Sequence, residues 1–181
     1  MRRQLSRTVW LLVGGPLSDH DLDRLLRSVD VRAPEALMFP FRATWLPAGY
    51  RLTGAASGAR HWHGDAAGNT LPADPPLLDA ELDLDRTATG EALTIGVSTE
   101  DGSWQDKGLQ PNGTLLGHPS HYSESSGLTR LHVYGVHGMH ISIYTDGRPE
   151  LNRAVLERIA RGLRLVASPD RPADWTDRPL P

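Results

Sequence analysis

The 181-residue chain contains no cysteine. That excludes disulfide scaffolds, thiolate zinc sites and thiol nucleophiles, while leaving the compartment open. Lysine is almost missing too: Lys107 is the only one, so arginine supplies nearly all the positive charge. Isoleucine and asparagine are scarce beside abundant Ala, Gly, Pro, Arg and Asp, a bias that reads as GC-rich coding rather than selection for guanidinium chemistry. The formal net charge of −3 lacks the basic excess of a nucleic-acid binder, so no nucleic-acid partner is expected. No apolar run approaches the roughly 18 residues a membrane span needs.

The length suits one domain with a core of its own. Residues 1–167 read as a single α+β domain containing a long loop at 101–127, followed by a Pro- and Asp-rich tail, 168–181. The basic Met1–Arg7 stretch and apolar Thr8–Val13 superficially resemble a signal peptide. The apolar part is short, Gly14-Gly15-Pro16 breaks it, and no small-residue cleavage site follows. The segment therefore reads as a strand, and the missing signal favours a cytoplasmic location.

Ser18 and Asp21 form a helix start, with Leu22, Leu25, Leu26 and Val29 on one stripe and Pro34 forbidding continuation. Residues 39–53 read as an edge strand broken by a turn at Pro47-Ala48-Gly49. Arg60–His63 is a short strand, 64–78 a loop, and Ala80–Asp85 pairs with Leu93–Val97. Leu128–Val136 and Met139–Thr145 form a hairpin. A three-residue loop, Val136-His137-Gly138, sets Val133 against Ile141 and Leu131 against Ile143, whereas a two-residue loop mixes the faces. The opposite face then carries His132, Tyr134, His140, Ser142 and Tyr144. Pro149 starts a second helix with Leu151, Val155, Leu156, Ile159, Ala160 and Leu163 on one side. The two helices match in type over Leu22–Val31 and Leu156–Leu165, through shared composition or through an internal duplication. The expected fold is an antiparallel sheet with two amphipathic helices packed on one face.

Phe41-Arg-Ala-Thr-Trp-Leu-Pro-Ala-Gly-Tyr50 resembles a group of actinobacterial extracytoplasmic domains with a Leu-Pro-x-Gly-Tyr signature, found in anti-sigma-factor-like proteins and lipoproteins. Val133–Ile143 and Leu156–Ala160 are similar to that group's closing hairpin and helix. The resemblance covers about half the chain in three pieces and carries no catalytic residues. It implies an extracytoplasmic location, against the missing signal, and sensing or partner binding rather than chemistry.

The histidines are the unusual polar feature. His61 and His63 share a strand face, and His118 and His121 sit in a loop. Imidazole pairs at these spacings suit Zn²⁺, but no His-Glu-x-x-His helix accompanies them, so neither metal nor cofactor is expected. His140-Ile-Ser-Ile143 has the form used by two-histidine phosphoesterases, which need a second copy facing it across a cleft; His121-Tyr-Ser-Glu124 is the partial match. Trp45, Tyr50, Trp62 and Trp104 suit either a ligand groove or ordinary packing. The favoured function is a non-catalytic binding or regulatory module for a protein partner or a small apolar ligand. His132, Tyr134, His140, Ser142 and Tyr144 form its recognition face. The competing reading is a metal- or histidine-dependent hydrolase.

Overall fold

The computed structural model describes residues 2–4, 10–12, 18, 20, 37–64, 70–86, 88–99, 109–125, 127–146 and 149–181, with side chains left out at 2–4, 10–12, 60–64 and 70–76. The chain divides into two compact units, Met1–Ala36 and Leu37–Pro181. In the first, β1 (Arg2–Gln4) and β2 (Trp10–Leu12) pair antiparallel, Arg3 opposite Leu11. The helix expected from Ser18 to Pro34 lies outside the described residues except for Ser18 and His20. So does the comparison of the two helices on which a duplication would rest.

The second unit is built on a seven-stranded antiparallel sheet. Its strands are β4 (Tyr50–Gly64), β5 (Thr70–Arg86), β6 (Glu91–Ser98), β7 (Gly113–Leu115), β8 (His118–Ser125), β9 (Leu128–Val136) and β10 (Met139–Thr145). They lie in the order β4-β5-β6-β10-β9-β8-β7. A separate ribbon pairs β3 (Phe41–Ala43) with β11 (Leu163–Leu165). Among the described residues there is one α-helix, α1 (Arg153–Gly162). The architecture is therefore sheet-dominated, with this one amphipathic helix on the apolar face of the sheet.

Register shows why these sequences choose strands. One row across the sheet reads Leu82, Ile95, Ile143, Leu131, Tyr122, and the next reads Ala80, Val97, Ile141, Val133, Ser120. The aliphatic members are all buried. Alternation with a period of two places this set on one side of the pleat, where each Leu, Ile or Val contributes about 1.5–3 kcal/mol by leaving water. Helix α1 closes that face against β9 and β10 with Leu156, Ile159 and Ala160 buried, and Phe41, Ala43 and Leu163 of the ribbon complete the core.

Three local expectations need correction. Residues 64–78 are largely strand: β5 begins at Thr70 and pairs with β4 along most of its length. Alternation is weak there because Pro72, Pro75 and Pro76 interrupt it. The 101–127 segment is not structureless, since β7 and β8 form a hairpin within it and β8 pairs fully with β9. Its Ser, His and Gly residues hid the hairpin because it turns only Leu115, Ser120 and Tyr122 toward the core. Finally, Pro149–Leu151 is a 3₁₀ turn, and α1 starts after Asn152, whose Oδ1 accepts from the Val155 N–H at 3.3 Å.

The β9–β10 hairpin reaches the expected register by another route. Its turn has two residues, His137 and Gly138, with φ of 52° and 75°, the left-handed pair of a mirror-image turn. Alone, that turn would slip the faces. A bulge corrects it, with Tyr134 and Gly135 together opposing His140, so that Val133 still meets Ile141 and Leu131 meets Ile143. Gly135 has φ of 80°, where a side chain is disfavoured.

The C-terminal segment packs on the ribbon. Phe39 and Thr176 exchange backbone hydrogen bonds of 2.8 and 3.0 Å, the Ala43 N–H donates to the Pro179 carbonyl at 2.7 Å, and Leu180 lies against the core. Trp175 Nε1–H donates to the Pro169 carbonyl.

Replacing Gly135 with Ala forces a methyl group into left-handed backbone at the bulge and should lower the unfolding free energy by about 1–2 kcal/mol. Gly58→Ala on the edge strand meets no heavy atom within 4 Å and should change it by less than about 0.5 kcal/mol. Urea denaturation of both variants makes the comparison, and equal effects would remove the bulge from its register-setting role.

Candidate functional site

Two surfaces of the second unit gather chemistry. The first is the sheet face turned away from α1. Its rows follow from the same register: Asp79, Ser98, His140; then Glu81, Gly96, Ser142, His132, His121; then Asp83, Thr94, Tyr144, Arg130, Ser123. Carboxylates occupy the β5 side, while imidazoles, tyrosines and Arg130 occupy the β8–β10 side. A Cβ on Gly96 would stand 2.6 Å from Ser142 Oγ, so the missing side chain makes room for that hydroxyl.

The five residues expected to form a recognition face do come together there. His132 is fully buried and His140 is 4% exposed; Tyr134, Ser142 and Tyr144 are half-buried. His132 Nδ1 and His140 Nε2 are 3.0 Å apart. One nitrogen donates and the other must be bare to accept, so the bond holds only while the pair carries at most one extra proton. The Tyr134 ring stacks on His132 at 6.3 Å between centroids and tilts over His140 at 5.0 Å. Tyr144 meets His132 edge-on at 5.4 Å, and the Arg130 guanidinium lies 5.9 Å from the Tyr144 ring.

The remaining histidines scatter. His121 Nδ1 is 2.6 Å from the Gln110 carbonyl, and His118 sits at the opposite turn end of β8. His61 and His63 fall on β4, and their side chains lie outside the described residues. Among the described residues, no group of three or more His, Asp and Glu side chains is placed to hold a metal. His121 and His140 stand on the same sheet face, separated by β9, rather than facing each other across a cleft as two-histidine phosphoryl transfer requires.

The second surface is a groove of about 420 Å³ lined by Trp45, Pro47, Ala48, Tyr50, Arg86, Leu151, Val155 and Arg158, among others. It lies where the Trp45–Tyr50 turn meets the start of α1, and Gly49, with φ of 88°, allows that turn. The Arg158 guanidinium lies 3.9 Å from the centroid of the Trp45 ring, a cation–π contact that fixes both groups. At the other end, Tyr50 O–H and Arg86 Nη1 both donate to Glu91 Oε2, at 3.2 and 3.1 Å.

Glu91 is 1% exposed. Burial pushes its carboxyl up, but hydrogen bonds from Arg86, Thr89 and Tyr50 outweigh this and hold it below the usual carboxylate range. The Tyr50 hydroxyl moves the other way, raised first by burial and then by the Glu91 charge, so it stays protonated as a donor. An apolar floor is thus framed by cations whose positions are fixed from beneath. Trp45 and Tyr50 were identifiable from the sequence as groove-or-packing aromatics. Arg86 and Arg158 were hidden among many arginines.

No protein-family model matches the chain, and no curated protein matches it in sequence. Among solved structures, it is similar to a chain of the crystal structure of MucB in complex with MucA(peri), with 16% identity and a TM-score of 0.42, covering 71% of this chain and 38% of that one. It is also similar to a chain of the Pseudomonas aeruginosa MucA/MucB complex, with 15% identity and a TM-score of 0.39, covering 86% of this chain and 43% of that one. The chain spans less than half the length of either. Among the described residues, no helix is long and apolar enough to cross a membrane.

The depressed Glu91 carboxyl has a pH consequence. Its contribution to stability is fully present above the ordinary carboxylate pKa, about 4.3, and is lost as pH falls through the lower folded value. Glu91→Gln should therefore be less stable than the parent at pH 7, with the difference shrinking as pH drops below about 4. Denaturation curves across that range check it, and a gap that persists unchanged in acid would mean that Glu91 acts through shape alone.

Proposed function

We propose that this chain is a non-catalytic binding and regulatory module that acts through a protein partner. The observation that carries the reading is the open groove at Trp45–Tyr50. It offers an aromatic wall, an apolar floor and an arginine-bearing rim. Arg86, Arg158 and the adjoining Arg51 stand around it beside Glu150, with the buried Glu91 carboxylate paired to Arg86. The complementary partner segment presents a bulky apolar side chain next to a carboxylate. Aromatic and arginine anchors of this type dominate protein–protein affinity.

The strand face belongs to the same proposal as a second contact surface. Tyr134, Ser142 and Tyr144 supply the contacts, and the buried His132–His140 pair positions them. His140→Ala should lower stability by about 1–3 kcal/mol, because it leaves a buried imidazole without this hydrogen bond. The hydrolase alternative requires the histidines to converge on a substrate. Here His132 and His140 are bound to each other.

A photocross-linking residue placed at Ala154 in the groove, with Arg161 on the exposed side of α1 as control, tests the reading in the native host. One dominant protein adduct should form from position 154, be absent from 161, and be lost when Trp45→Ala is added. Against the purified partner, Trp45→Ala should weaken binding about 10- to 100-fold while thermal melting stays cooperative. Identical adducts from both positions, or none from 154, would sink the proposal.

A further inference from the structure

We propose that a second cavity, independent of the groove, binds a small organic carboxylate with an apolar body. It has a volume of about 310 Å³ and lies where the β7–β8 turn, the β9–β10 turn and β11 meet. Leu116, Val136, Ile141, Leu163 and Leu165 give it apolar walls, and His118, His137 and Arg164 are its polar lining. Among the described residues, no carboxylate lines it. A guanidinium with two imidazoles beside a hydrocarbon floor complements an anion at one end and a ring or short acyl chain at the other. Inorganic phosphate, which has no apolar part, fits only half of this lining.

The backbone supplies a separate observation. Among the described residues, Leu116 and His137 are the non-glycine residues with positive φ, at 57° and 52°. Both line this cavity. Each is the first residue of a two-residue turn that ends in glycine, Leu116-Gly117 and His137-Gly138; histidine enters left-handed backbone with fair frequency, whereas leucine suits it poorly. Local strain held at a site that gathers matching charge and apolar surface is what a binding pocket exhibits when side-chain placement outweighs backbone preference. The Leu116-Gly117 turn is thereby unfavourable as a turn and useful as a cavity wall.

The test uses the full-length, isotope-labelled protein and four probes: octanoate, indole-3-acetate, and their uncharged counterparts octanol and tryptophol. Imidazole Cε1–H signals are followed by NMR, with the other six of the eight histidines as internal controls. The carboxylates should shift His118 and His137 saturably. The alcohols and Arg164→Gln should each weaken binding about tenfold or more. Leu116→Asn should lose affinity while keeping or raising the melting temperature, because asparagine accepts left-handed backbone and leucine does not. A merely structural role would not produce that opposition. The proposal is overturned by any of three results: no saturable shift up to about 5 mM, equal affinity for the alcohols, or equal affinity for inorganic phosphate.

Discussion

Everything in the second unit depends on the register between β9 and β10. These two strands lie at the middle of the sheet, and each side chain they carry belongs either to the aliphatic core under α1 or to the histidine–tyrosine face opposite. A slip of one residue would exchange the two sets, drive His132 and Ser142 into the core and expose Ile141 and Ile143. The Gly135 bulge prevents this by absorbing the residue that the tight His137–Gly138 turn leaves over. The pairings of β6 with β10 and of β8 with β9 then inherit their faces from this hairpin.

The inherited pattern explains how polar groups come to be buried without destroying the fold. His132 and His140 are adjacent across the strands, so one nitrogen of each imidazole is engaged by the other ring, and the flanking tyrosine rings pack against them. Glu91 is handled in the same way on the other face, where a phenol and a guanidinium converge on one carboxylate oxygen. In both cases a costly buried group becomes a rigid support for something closer to the surface: the tyrosines in one case, the groove wall in the other.

The sequence made parts of this legible for definite reasons. Alternation in 128–145 was strong enough to give both strands and their facing pairs, because one side is aliphatic between Thr129 and Thr145 and the other is polar beyond Leu128. The helix pattern after Pro149 was equally plain, although Asn152 rather than the proline starts the helix. The β7–β8 hairpin was invisible, since a strand facing the core through Ser120 and Tyr122 has almost no hydrophobic signal. The length of β4 and β5 was masked by prolines and by small residues such as Gly54, Ala55 and Gly58. The groove depends on Trp45 meeting Arg158, more than 100 positions away, and no local pattern announces such a meeting.

The ribbon of β3 and β11 has a consequence for how the molecule comes to exist. Residues 41–43 pair with 163–165, and Phe39 joins Thr176. The first strands of the second unit to leave the ribosome therefore wait for nearly the last. The sheet between them assembles from neighbouring hairpins, which are local and quick to form, but the lid over its aliphatic face is a late, long-range event. During synthesis the leucines and isoleucines of β5, β6, β9 and β10 are thus a paired but uncovered surface, and a nascent chain halted short of α1 presents that surface to whatever chaperone or neighbour is nearest.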